Sequence, residues 1–229
     1  MHIHRPKVGH GLLEFLKELG TIVLGIVIAL FLEAQVERIH WANEVRKGEA
    51  ALRKEITVND RYFQDRAAIA PCMQRRLQQA SALIEEASAK GRLPRVDGVS
   101  PGGLGGLVEI SAWQSQQAAQ VLVHYPDDEL ASLSLYYTQT LQAEAWRDAE
   151  GVAWRGLAIM DGPPKRMTDA DVAGLRVRLQ DAKTYARIWE VNAPRQIDLA
   201  RKLGIRPLPL DRSFVARTCR DIRVDSTGS

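Results

Sequence analysis

Cys72 and Cys219 are the only cysteines in the chain, 147 positions apart. Neither has a histidine close by in sequence, and there is no C-x-x-C pair, so neither reads as a catalytic thiol. Their plainest chemistry is a disulfide, which requires an oxidising compartment. Two unrelated buried thiols are the alternative. If formed, a bridge closing so long a loop stabilises the fold by about 5 kcal/mol in the chain-entropy model. The stretch Gly98-Val99-Ser100-Pro101-Gly102 matches G-x-S-x-G. A nucleophile elbow needs a strand before the serine and a helix directly after it. Here the serine has proline beside it in a glycine-rich stretch, so a hydrolase reading fails. The same stretch lacks the Lys and Ser/Thr of a phosphate-binding loop. His2, His4 and His10 lie in the N-terminal tail, His40 lies beside the apolar segment, and His124 precedes Asp127, Asp128 and Glu129. There is no H-E-x-x-H spacing, and those acids are what a helix start attracts without any metal. The expectation is therefore no catalytic residues, no cofactor-binding residues and no metal ligands.

The elements that carry these residues begin with an apolar segment. From Leu19 to Leu32 fourteen residues carry no charge. As a helix they cover about 21 Å, short of a ~30 Å hydrocarbon core. Leu12, Leu13, Phe15 and Leu16 extend the apolar content upstream, and Ala34 and Val36 extend it downstream. Lys17, Glu18 and Glu33 stand where side chains can reach headgroups, and Trp41 stands where an interfacial aromatic belongs. A soluble core helix or a secretory signal also uses such runs. Glu14 and Glu18 in the leading region, and the lack of a small-x-small site after Leu32, argue against cleavage. The segment reads as a transmembrane anchor over 18–36 after a cytoplasmic tail of 1–17. Arg5, Lys7 and Lys17 precede it, whereas residues 33–44 hold Arg38 against Glu33, Glu37 and Glu44. That bias places the N-terminus in the cytoplasm of a bacterial inner membrane and the remainder in the periplasm. Thr21, Gly25 and Ala29 recur every four residues, a small-residue stripe suited to self-association in lipid.

The run from Glu18 to Leu30, ELGTIVLGIVIAL, followed by a helix of mixed charge, resembles the start of a bacterial family of single-pass membrane proteins. That family carries an anchor like E-I-x-x-V-x-x-G-I-x-I-A-L and a helical domain after it. Ser111-Ala112-Trp113-Gln114-Ser115 and Tyr136-Tyr137 are similar to its W-x-small helix and its Y-Y helix. Gly20-Thr21 departs from the larger apolar residue expected there. The resemblance covers about half of the chain; it implies topology and no activity.

Beyond the anchor, helical periodicity dominates. Val45, Leu52, Ile56 and Phe63 fall at helical spacing with Gly48 as the one glycine of Val36–Ala70. The anchor thus continues outward as one long helix, which Pro71 breaks or restarts. Met73, Leu77, Ala80, Ile84 and Ala87 form a second helix closed by Gly91. Residues 92–106 form a proline- and glycine-rich loop. A third helix covers Leu107–Val123 with Trp113. A fourth starts at Pro126, is lined by Leu130, Leu133, Tyr137, Leu141 and Ala145, and ends at Gly162-Pro163-Pro164. Thr168 and Asp171 form a capping box ahead of Val172, Leu175, Leu179, Ala182, Ala186, Trp189 and Ala193. Pro194 kinks or splits that last helix and Gly204 caps it. The fold class is all-α: a transmembrane helix continuing into a long helix, then an up-and-down helical bundle over 37–204 and a basic tail over 205–229.

Composition sets the outer limits. The chain is 45% hydrophobic and 26% charged with a net charge of +3. That excludes a polytopic membrane protein, a disordered chain and a four-cysteine zinc module. Residues 201–223 hold seven basic side chains, Arg206, Arg212, Arg217 and Arg220 among them, against two acids. Without interleaved aromatics or a binding fold this is not a nucleic-acid surface. Together with Trp113 it is a candidate surface for a protein partner, anionic lipid or an acidic polymer. The function that follows is a membrane-anchored helical interaction or scaffold protein of the cell envelope. Its partners are the bilayer and either a second protein or its own copy through the anchor. A periplasmic small-molecule-sensing domain working with a membrane partner is the alternative. An enzyme with an unrecognised carboxylate site, near His124, Asp127 or Glu129, comes after it.

Overall fold

A single α-helix, α1 (Leu12–Lys90), runs through both the apolar segment and the first half of the domain. It belongs to a computed structural model that describes residues 11–101, 103–104 and 106–225, 78% of it helical. His2, His4, His10, Arg5, Lys7 and Gly102 lie outside the described residues. The chain is all-α in architecture, with only two- and three-residue strands among the described residues.

α1 changes character along its length. Every residue from Leu12 to Ala34 is exposed, and this stretch is long and apolar enough to cross a membrane. Burial begins at Gly48 and continues through Leu52, Ile56, Phe63, Ile69, Met73, Leu77, Ala80, Ile84 and Ala87. These are the rows the periodicity assigns to two helices. Pro71 does not separate them. A proline inside a helix forgoes one backbone hydrogen bond and crowds the preceding turn, at a cost of ~3 kcal/mol. Pro71 sits on the exposed side of α1, while Ile69, Cys72 and Met73 around it are buried. Packing on both sides therefore holds the helix through the proline. Gly91, at φ +65°, ends it in the left-handed conformation glycine adopts most cheaply.

The remaining elements pack along the outer two thirds of α1. After β1 (Arg92–Leu93) and β2 (Arg95–Asp97), the chain returns to α2 (Ser111–Ala118) and a 3₁₀ turn, Val121–His124. α3 (Asp127–Leu157), β3 (Lys165–Arg166), α4 (Asp169–Lys202), α5 (Arg212–Thr218) and β4 (Arg223–Asp225) follow. α4 is antiparallel to α1: Arg176 pairs with Glu85, Trp189 meets Tyr62, and Arg53 donates to the Leu203 carbonyl. α3 is antiparallel to α4, with Thr140 bonded to Gln196 and Trp146 against Trp189. α1 and α3 are thus parallel, and the 92–126 connection carries the chain back along the bundle. This corrects the simple up-and-down path, because one unbroken α1 removes a reversal that a helix break at Pro71 would supply. β1 pairs with β3 and β2 with β4, both antiparallel, closing the far end.

Two further sequence expectations shift. The third helix is shorter than Leu107–Val123, and its end is a 3₁₀ turn reached through Gln120 at φ +56°. On α3, Leu141 and Ala145 face solvent, and the buried row passes through Thr140, Ala143 and Glu150. Polar residues hold those positions because each has a partner: Gln196 for Thr140, Arg66 for Glu150. The helix over 169–202 starts at the expected capping box, in which the Asp171 amide donates to Thr168 Oγ1. It runs through Pro194, which is exposed like Pro71.

α1 positions the returning loop with two side chains one turn apart. Asn59 donates to the Glu109 carbonyl and accepts from its amide, both at 2.7 Å. Glu55, 4% exposed, accepts from the amides of Ala112 (2.6 Å) and Trp113 (3.2 Å), from Ser111 Oγ (3.2 Å) and from the Tyr137 hydroxyl (2.7 Å). It thus caps α2 from a neighbouring helix. Glu55→Ala leaves two amides and a phenol without an acceptor, and should lower the unfolding free energy by about 2–4 kcal/mol. Urea titration of the solubilised chain, followed by tryptophan fluorescence, measures it. A change below about 0.5 kcal/mol, the scale of an ordinary surface substitution, contradicts this role.

Candidate functional site: the end of the bundle beside the apolar segment and the C-terminal strap

Three regions hold the sequence-predicted residues. The first is the apolar length of α1. Thr21, Gly25 and Ala29 lie on one side of it, and a Cβ built on Gly20 or Gly25 meets nothing within 4 Å. Thr21 Oγ1 donates to the Lys17 carbonyl at 2.9 Å, so its polar group is satisfied within the helix and its methyl is left for packing.

The second region is the end of the bundle nearest that segment. Trp41 stacks on His124, ring centroids 3.9 Å apart and planes 19° from parallel. The Tyr125 hydroxyl donates to the Val45 carbonyl at 3.3 Å. Gly48 is buried here, and a Cβ at this position would come within 2.7 Å of the Tyr125 hydroxyl and closer still to the Gln116 amide, so glycine lets both side chains pack on α1. Two adjoining depressions share Glu49. The inner one brings Glu49 and Glu129 together with Arg53 and Tyr125. Burial pushes the Glu129 carboxyl up, the Glu49 charge adds to it, and Arg53 opposes it. Burial, reinforced by Glu49 and Glu129, raises the Tyr125 phenol to about 12. The outer depression lies between Ala34, Trp41 and His124. A glutamate pair beside an un-ionised phenol can hold or orient a proton. Among the described residues no three His, Cys, Asp or Glu side chains stand close enough to hold a metal ion. Gly98, at φ +82°, follows a strand, but the next helix after Ser100 starts only at Ser111, so no nucleophile elbow forms.

The third region is the chain after α4, which is packed rather than trailing. Arg61 donates to the Pro209 carbonyl. Ile205 and Ile222 are buried. A disulfide joins Cys72 to Cys219 with Cα atoms 5.4 Å apart. Arg76, 4% exposed and one turn beyond Cys72, donates to the carbonyls of Gly98, Val99, Thr218 and Arg220. Burial lowers the pKa of that guanidinium, and Asp221 and Asp161 oppose the shift. The carbonyls supply the hydrogen bonds it loses with water. Arg206, Arg212, Arg217 and Arg220 are all exposed along this strap. Trp113 does not join them. It is 7% exposed and stacked on Tyr137 at 4.6 Å, so its place in a surface patch is corrected: the ring is core, fixed there by Glu55.

Sequence reasoning missed the buried polar residues. Arg66 and Glu150 pair at 2.6 Å with side chains 2% and 0% exposed. The Arg66 guanidinium also lies 4.3 Å from the centre of the Trp189 ring and donates to the Leu104 carbonyl at 3.1 Å. Burial raises the Glu150 carboxyl and the Arg66 charge opposes it. The signal was present: Glu55, Asn59, Arg66 and Arg76 stand in phase with the apolar row of α1. Polar residues in that phase mark places where a neighbouring element must supply partners.

No family model, no curated protein and no solved structure matches this chain.

The strap depends on the disulfide. Replacing both Cys72 and Cys219 by Ser should lower stability by up to about 5 kcal/mol. Residues 205–225 should then become cleavable under conditions where the parent resists. Thermal unfolding and limited proteolysis measure the two effects. An unchanged midpoint and digest contradict the assignment.

Proposed function

We propose that this chain is a single-pass membrane-anchored scaffold of the bacterial inner membrane. Its N-terminus is cytoplasmic, and its helical domain stands in the periplasm to receive a protein partner. The observation that carries this is the division of α1: one uninterrupted helix whose first part is apolar and wholly unburied and whose second part is the spine of a packed bundle. An apolar face that size, bare in water, favours association or insertion. A disulfide in the outer part suits an oxidising compartment. The positively charged side of the anchor supports the orientation. The resemblance of the anchor to single-pass bacterial proteins agrees with it.

The buried polar groups support a scaffold. Glu55, Asn59, Arg66, Arg76 and Glu150 are spent on joining elements to α1. From Val36 to Lys90 the helix spans about 80 Å at 1.5 Å per residue, so the far end is held well away from the bilayer. The exposed arginines of the strap lie along this strut and suit an acidic partner surface. The stripe of Thr21, Gly25 and Ala29 gives the anchor a face for a second copy.

Two measurements test this. A cysteine placed at exposed Ala89 should react with a membrane-impermeant maleimide once the outer membrane is permeabilised. Reaction only after the inner membrane is breached contradicts the topology. Reversing Arg206, Arg212, Arg217 and Arg220 together to Glu should abolish co-purification of a crosslinked envelope partner while leaving the unfolding midpoint within a few degrees. Retention of that partner contradicts the assignment of the surface.

A further inference from the structure

We infer that the outer depression between α1 and the 3₁₀ turn Val121–His124 binds the headgroup of an ethanolamine phospholipid from the bilayer that α1 crosses. This rests on the anchor reading above and names a ligand for that end of the domain. The depression is formed by Ala34, Arg38, Trp41, Val45, His124 and Pro126. Val27, Leu30, Ala34, Arg38, Trp41 and Val45 are spaced by three and four residues, so they share one face of α1. Read outward from the membrane, that face is apolar, then small, then cationic, then aromatic. A phospholipid standing beside the helix presents acyl chain, glycerol, phosphate and amine in the same sequence. From Ala34 to Trp41 is about 10 Å along the axis, comparable to the headgroup layer of one leaflet.

Each part of the site has a matching group. Val27 and Leu30 are 55% and 59% exposed and form an acyl-chain track that none of the described residues covers. Arg38 is exposed and has no hydrogen-bond or ion-pair partner among the described residues. Its fork suits a phosphate diester. The stacked rings of Trp41 and His124 make the outer wall and fix the turn against α1. Glu37, which accepts from Trp41 Nε1 at 3.4 Å, provides a carboxylate beside that ring for an ammonium group. It disfavours a purely anionic headgroup. The turn also carries Val123, an apolar side chain 75% exposed beside partly buried Leu122. Gln120 at φ +56° leads into this turn, a conformation L-residues adopt at a cost. Thr21, Gly25 and Ala29 fall on the opposite side of α1 by the same helical arithmetic, so lipid binding and self-association do not compete.

The test is native mass spectrometry of the full-length chain, disulfide intact, in detergent titrated with phosphatidylethanolamine or phosphatidylglycerol. One ethanolamine lipid should be retained in preference to later ones. Arg38→Gln should bind it roughly tenfold more weakly, the loss of one charge-assisted contact, with an unchanged unfolding midpoint. Equal affinity of the variant, stepwise uptake without a preferred first lipid, or preference for phosphatidylglycerol overturns the proposal. Carbonate extraction of both proteins from membranes is run alongside. Release of the parent chain defeats the anchor reading itself, whereas retention of both with equal lipid binding defeats only the headgroup site.

Discussion

The continuity of α1 is the constraint from which the rest of the structure follows. A helix that runs from an exposed apolar segment into a packed bundle without a hinge transmits its direction to everything attached to it. It leaves α3 and α4 only the remaining side of the spine, and it obliges the 92–126 connection to travel back along the bundle before α3 can begin. The weak point is Pro71. Its cost is met by burial of Ile69, Cys72, Met73, Arg76 and Leu77 on the inner side of the same turns. The disulfide and the Arg76 carbonyl contacts lie within two turns of that proline. The segment where the helix is intrinsically weakest is therefore also the segment most heavily cross-linked to the rest of the chain.

Polar residues in the core do the work of registration. Hydrophobic rows on α1 and α4 match over many turns and tolerate sliding by a heptad. Buried groups that must find their partners do not. Glu55 and Asn59 fix where α2 starts, and Arg66 fixes α3 through Glu150 and α4 through Trp189. Most of the domain's buried charge is already engaged in joining elements. The exception is the end beside the apolar segment, where Glu49, Glu129 and Tyr125 meet and where Arg38 has no partner among the described residues.

Much of this was legible in the residues, for reasons that differ by element. The apolar run, the capping box of Thr168 and Asp171, the closing Gly91 and the rows Met73–Ala87 and Val172–Ala193 are local patterns whose structural meaning does not depend on the rest of the chain. The disulfide could be anticipated because only one pairing exists. Pro71 misled because local propensity favours a break, and only tertiary burial on both sides overrides it. Leu141 and Trp113 misled in opposite directions. The α3 row shifted toward Thr140 and Glu150 because their partners lie on other helices. Trp113 is buried because a glutamate more than fifty residues earlier caps its helix. Neither partnership leaves a mark within the segment concerned. The end beside the apolar segment needed three dimensions, since His124 and Trp41 meet only once the chain has returned from the far end.

The most direct test of the account is a pair of distances measured by pulsed electron paramagnetic resonance on the full chain in lipid nanodiscs. Labels are carried on unnatural amino acids so that the native disulfide stays closed. One pair, at Phe31 and Lys54, spans the passage from the apolar segment into the bundle; the other, at Lys54 and Glu85, spans Pro71. A continuous helix predicts narrow distributions near ~35 Å and ~46 Å, the products of 1.5 Å and the residue separations. A broad or markedly shorter first distribution places a hinge between anchor and bundle. The same result for the second pair breaks α1 at Pro71. Either outcome contradicts the single spine on which the proposed scaffold depends.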